Sequence, residues 1–361
     1  MRQPVVRRTT SEAIATTAQP SPFPTCGRAA DKDVAAERLT WNPMNTPTAI
    51  STPAGSAPVA VLEQQVWQER EARHHERVDA LVAGHLERRR DRVAHPVEDF
   101  LFTYYSYKPS QLRRWYPGAG VVLLGEAARH RLDERFFTEI RATGPDGDPV
   151  VGVGLDLEAF TAKRGSTARF VVSLLTAVAS RPAHLGCFGL HEWAMVYRRN
   201  QDEVRHSSVP LRLGAEGTDR VVESHRIQCS HYDAFRFFTP EARPLNRLRP
   251  SRDTQIELDQ PGCLHATMDL YKWAYKLAPA VPGELLVDCF ELARDVRELD
   301  MRASPYDLSG YGYEPVRIET AQGKAEYMAA QEDFAERGKV LRARLLAACA
   351  PLVGTTATGG E

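Results

Sequence analysis

Apolar and polar positions along the chain divide it into three regions. Residues 1–60 are rich in Thr, Ser, Ala and Pro and hold few bulky apolar side chains. Such a stretch buries too little surface to offset its ordering entropy, so it reads as a disordered extension. Residues 61–353 carry helical apolar spacing and read as a single globular domain. Gly354 to Glu361 form a small-residue, disordered tail.

Within the domain, residues 62–92 lack proline and place Leu62, Val66, Trp67, Val78, Leu81, Val82 and Leu86 at broken helical spacing. His95-Pro96 ends that helix, because the residue before proline avoids the helical region. Residues 98–107 are aromatic and read as buried. Residues 121–124 and 150–155 are short apolar stretches between turn formers. Residues 166–180 predict an amphipathic helix with a serine cap, apolar at Phe170, Val171, Leu174, Leu175 and Val178. Further helices are predicted at about 190–200, 264–278, 283–302 and 322–350, with a β-hairpin over 209–229. The fold class expected is α+β, predominantly helical: a single large domain with a small β-hairpin element.

Composition adds limits. The chain has 361 residues, 46 basic and 47 acidic, for a formal net charge of −1. Residues 1–60 hold six basic and four acidic residues, which leaves the remainder at −3. Nucleic acid bound through bulk charge is therefore excluded, and any such partner needs a local basic patch. The six cysteines are scattered without a C-x-x-C pair, as expected of reduced thiols in a cytoplasmic protein. No apolar run reaches the ~20 residues of a membrane span. The first residues faintly resemble a transit peptide, and Met44 is an alternative translation start. There is no zinc signature, no G-x-G-x-x-G and no G-x-S-x-G, so neither a metal nor another cofactor is predicted.

Candidate chemistry lies in clusters mixing charge with aromatic rings, the mixture a pocket for a flat ligand needs. Tyr104 and Tyr105 precede Arg113 and Arg114. His191, Glu192 and Trp193 form a possible acid/base element beside a stacking ring. His231, Tyr232 and Asp233 precede a basic stripe of Arg243, Arg247, Arg249 and Arg252, the strongest nucleic-acid feature. His265, Asp269 and Lys272 share a helix face, with Trp273 beside them. Tyr306 sits in a turn after Ser304-Pro305. Each cluster also has a plainer reading, as core rings, solvated loop or surface ion pairs.

Taken together, HPVEDFLFTYYSYKPSQLRRWYPG, HLGCFGLHEWAMVYR, QPGCLHATMDLYKWAYKL and RASPYDL resemble a bacterial, largely actinobacterial family labelled 3-methyladenine DNA glycosylase. The resemblance spans about residues 62 to 350. It implies a DNA-repair hydrolase that cleaves the N-glycosidic bond of alkylated purines such as 3-methyladenine, with DNA as partner. That reaction needs a carboxylate to face an oxocarbenium-like state and rings to stack on a flipped, cationic base. Asp269, Glu192 and Asp233 are the carboxylates available, with His191 as proton-carrying partner. Tyr104, Tyr105, Trp193, His231, Tyr232, His265, Trp273 and Tyr306 are the candidate substrate contacts. Arg113, Arg114, Arg243, Arg247, Arg249 and Arg252 are the candidate phosphate contacts. The alternative is a small-molecule enzyme acting on a nucleobase-like or other flat metabolite without DNA; a non-catalytic binding protein is a third reading.

Overall fold

The structure is a computed structural model that describes residues 60–204 and 206–353. Expectations for the N-terminal extension and the tail lie outside the described residues, apart from Ala60.

The chain starts with β1 (Ala60–Leu62) and the long helix α1 (Gln64–Asp91), whose inner stripe is Trp67, His74, Val78 and Val82. Two short helices follow, α2 (Phe100–Tyr104) and α3 (Pro109–Leu112), then β2 (Val121–Leu123). A 3₁₀ segment, Glu126–Asp133, leads into β3 (Phe137–Thr143) and β4 (Pro149–Leu155). The remaining elements are α4 (Leu157–Ala179), α5 (Leu190–Ala194), α6 (Gly214–Ser224), α7 (Tyr232–Phe235), α8 (Gln255–Leu258), α9 (Leu264–Lys276), α10 (Gly283–Arg302) and α11 (Ala321–Val353). The fold is thus α+β and mostly helical. No helix among the described residues is long and apolar enough to cross a membrane.

The four strands form one sheet in the order β1-β2-β4-β3. β1 pairs with β2 in parallel; β2–β4 and β3–β4 are antiparallel. The hairpin is therefore β3–β4, closed by Gly144 to Asp148, and not residues 209–229. In that segment Thr218, Val221 and Val222 are buried at helical three- and four-residue spacing, and α6 forms instead. Only the isolated bridges Leu211–Tyr306 and Ile227–Asn246 remain there.

Helix α4 also departs from expectation. It starts at Leu157, nine residues before the expected serine cap, because the Asp156 side chain accepts from the Ala159 N–H at 2.9 Å. The helix expected over 190–200 stops at Ala194, and Arg198 adopts a left-handed φ of 54°.

Helix α9 runs through the middle of the main core and packs on α10 and α11, while α11 also covers α4. Ten of the 13 residues of α9 are buried, including His265 and Asp269, so its polar side chains must find partners inside the protein.

Candidate functional site

Three histidines line up at the N-terminal end of α9. The His265 ring stacks on His231 at a centroid distance of 5.5 Å and meets His191 edge-on at 4.5 Å. Each outer ring is anchored by a buried aspartate: His191 Nε2 lies 2.7 Å from Asp300 Oδ1, and His231 Nδ1 lies 3.0 Å from Asp259 Oδ1.

The electrostatics follow from that arrangement. Burial disfavours charge on His191, but the Asp300 carboxylate outweighs it and holds the imidazole pKa well above its usual value. Burial likewise opposes charge on His231, and Asp259 again overrides it. His265 has no carboxylate bonded to it. Burial and the neighbouring His191 push its pKa well below the ordinary value, and its Nδ1 is buried without a partner. A neutral imidazole therefore sits between two that favour the charged form.

Two ionic networks flank this row. Arg297 Nη1 donates to Glu192 Oε1 at 3.1 Å and to Asp300 Oδ2 at 3.2 Å. Lys272 Nζ donates to Asp233 Oδ2 at 2.7 Å and to Asp269 Oδ2 at 2.8 Å, while the Tyr105 hydroxyl donates to Asp269 Oδ1 at 3.0 Å. Glu192 and Asp233 respond in opposite senses. Burial, and then the Asp300 charge, raise the Glu192 pKa. Burial works against ionised Asp233 too, but Lys272 prevails and lowers its pKa.

Both carboxylates line one narrow cleft of about 20 Å³, together with Tyr104, His265, Tyr306 and Arg297. Phe100 and His206 belong both to this cleft and to a larger groove of about 680 Å³. Arg89, Arg92, His95 and Lys108 line that groove, with Tyr311 edge-on to His95 at 5.1 Å. Its one acidic lining residue, Asp99, is already bonded by Arg88 and His85.

A separate cavity of about 310 Å³ includes Cys187, His191, Cys229, Leu248, Cys263 and Tyr327 among its lining residues. His191 thus faces this cavity, while His265 faces the cleft.

The structure brings Glu192, Asp233, Tyr104, His265 and Tyr306 to the cleft. Asp269 lies behind Asp233, joined through Lys272. Trp193 is fully buried and donates from Nε1 to the Ala303 carbonyl. Trp273 lies under the Lys272 ammonium, 4.7 Å from the ring centroid, and Tyr232 lies under Arg252. The six proposed arginines are all exposed but do not line the groove. Arg113 pairs with Asp79, Arg243 donates to the Arg236 carbonyl, and Arg249 bonds backbone carbonyls of its own loop. That loop instead contributes Leu248 to the 310 Å³ cavity.

Sequence reasoning missed Arg297, Asp259, Cys187 and the cation-lined groove. Arg297 and Asp300 carried a signal, since two charges three residues apart on an apolar helix must pair if buried. Nothing local marked the groove, which α1, α2 and the chain near His206 assemble from distant segments.

Among the described residues, two sets of donor atoms lie within 4.8 Å of one another: His191/His265/Asp300 and His231/Asp233/Asp269. In both, resident cations already bond the carboxylates, through Arg297 on Asp300 and Lys272 on Asp233 and Asp269.

No family model, curated protein or solved structure matches this chain.

Proposed function

We propose that the cleft hydrolyses the N-glycosidic bond between an alkylated purine and deoxyribose in DNA, the activity implied by the family resemblance. The observation carrying this reading is the convergence of Glu192 and Asp233 on one cleft with pKa values displaced in opposite directions. Such a split assigns one carboxyl to the acid role and the other to the ionised role. Glu192, whose protonated form burial and Asp300 favour, donates a hydrogen bond to the departing base. Asp233, held ionised, faces the positive charge that develops on the sugar and takes the proton that the attacking water loses. A cleft of about 20 Å³ has room for roughly one water, the attacking group, so the nucleotide lies in the adjoining groove with its glycosidic bond at the junction that Phe100 and His206 share with the cleft. Arg89, Arg92 and Lys108 there suit phosphates.

Two observations favour a second reading, a small-molecule enzyme acting on a free nucleoside or similar flat metabolite. The groove's 680 Å³ matches a small-ligand pocket, and the chain beyond residue 60 carries a net charge of −3. Release of methylated base from duplex DNA, compared with release from the free nucleoside, separates the two. The first reading expects duplex cleavage, binding that weakens steeply with salt, and a rate loss of ~10²-fold or more in Glu192→Gln. Cleavage of the nucleoside without duplex binding at low salt establishes the second. Release from neither substrate rejects both.

A further inference from the structure

The 310 Å³ cavity on the other side of the histidine row belongs to neither carboxylate. Cys187 Sγ lies 3.7 Å from His191 Nδ1, and His191 Nε2 lies 2.7 Å from Asp300 Oδ1. A thiol, an imidazole and a buried carboxylate thus stand in line, each bonded to the next. Cys187 is half-buried and His191 is at the cavity wall, so the sulfur is reachable from the cavity while the carboxylate is not. We infer that Cys187, His191 and Asp300 form a nucleophilic triad, giving the chain a second, thiol-dependent acyl-transfer site for a small ester or amide.

Three further observations point the same way. The residues just after the thiol, Phe188 and Gly189, both take left-handed φ, 48° and 69°. For phenylalanine that conformation is strained, and strain of this kind is retained where a sharp turn must present a reactive group. Tyr327 lines the same cavity, and its hydroxyl is buried without a hydrogen-bond partner, leaving an O–H donor for an oxyanion. The lining combines Leu248, Leu258 and Leu264 with Gln228, Ser230 and Gln260, as suits a compact, partly apolar acyl compound.

The chemistry balances. The Cys187 thiolate adds to the acyl carbon, and the carbonyl electron pair moves to oxygen, beside the Tyr327 hydroxyl. Collapse breaks the bond to the alcohol or amine, which leaves with the proton from His191 Nδ1, and a thioester remains on Cys187. Neutral His191 then takes a proton from water. The resulting hydroxide adds to the thioester, the C–S bond breaks, and acid and thiolate are released. Asp300 acts only as the positioning residue, holding the imidazole through Nε2.

The test uses p-nitrophenyl acetate on the full chain. Rapid-mixing kinetics should show a burst, and mass spectrometry of the quenched protein should place the acetyl group on Cys187. Turnover should fall ~10²-fold or more in Cys187→Ala and stay within about threefold in Cys349→Ala, a free thiol that lies outside the cavity. Cys187→Ser preserves shape and should show the same loss if the alanine variant folds poorly. Hydrolysis that persists in folded Cys187→Ala or Cys187→Ser, acetylation spread over several residues, or no acetylation of the wild type overturns the triad.

Discussion

Asp300 holds His191 from one side and Arg297 from the other, 2.7 Å to the imidazole Nε2 and 3.2 Å to the guanidinium, with no exposure of its own. One fully buried carboxylate thereby bonds two buried cations, the second of which it shares with Glu192. Burial opposes the Asp300 charge most, but the attraction and hydrogen bond of His191, with His265 and Arg297 behind them, together lower its pKa. The His191 contribution is complete below its ordinary pKa of 6.5 and is lost as pH rises through the higher folded value. The Asp300 contribution is present above the ordinary 3.8 and is lost as pH falls through the lower folded value. The pair therefore stabilises most between about pH 4 and 6.5. Asp300→Asn should cost ~3–5 kcal/mol near pH 6, since it strands the His191 imidazolium and leaves Arg297 with Glu192 alone. Urea denaturation across that range measures it, and the gap from wild type should narrow above the window. A constant gap at all pH values contradicts the assignment.

Lys272 performs the matching task for Asp233 and Asp269. Burial resists its charge, yet Asp269 and Asp233 together raise its pKa. Lys272→Met keeps the length of the stem but leaves Asp233 to Arg236 and Asp269 to the Tyr105 hydroxyl, at a cost of ~3 kcal/mol near neutral pH. Asp233 has a lowered pKa, so its contribution is lost as pH falls through that value. Without the ammonium this loss should begin at higher pH. Acid titration of the folded fraction by circular dichroism should show the variant unfolding first. Coincident acid transitions would remove Lys272 from that role.

Much of the fold could be read from periodicity, and for a physical reason. Helices α9, α10 and α11 each carry several turns of apolar residues, and their ends at prolines and small residues are local facts. The segment 209–229 was misread because VPLRLG and RVVESHRIQC have β-branched residues in both halves, whereas burial of Val221 and Val222 against the core decides for a helix. In the site, Glu192, Asp233 and His265 stood out as polar residues beside aromatic ones. The Cys187–His191 contact did not, because its meaning depends on Asp300, 109 residues further along. The groove's Lys108, Arg89 and Arg92 resemble any solvated charges until α1 and α2 are brought together.

Gly323 tests packing against propensity. Alanine is the better helix former by about 1 kcal/mol, so propensity alone predicts that Gly323→Ala stabilises α11. In the structure a Cβ there would overlap the Arg317 carbonyl, a backbone atom that a side-chain rotation cannot clear. Gly323→Ala should therefore destabilise by ~2 kcal/mol or more, lowering the thermal midpoint in calorimetry. An unchanged or raised midpoint shows that the backbone near Arg317 yields freely.

The acid role of Glu192 has a pH signature. Burial and Asp300 raise its pKa, so the protonated form persists above the usual carboxyl range and then disappears as pH rises further. Base release should accordingly fall on the alkaline side, as the donor is lost. Arg297 opposes that rise through its bond to Glu192. Arg297→Met should therefore move the alkaline limb to higher pH while leaving the order of the limbs intact, and Glu192→Gln should abolish the limb altogether. The amide cannot lose a proton in this range, so any activity left in Glu192→Gln should be flat with pH on that side. An alkaline limb that survives in Glu192→Gln belongs to another group and withdraws Glu192 as the acid. Initial rates of base release, measured from pH 4 to 9 on one methylated substrate, decide between these outcomes.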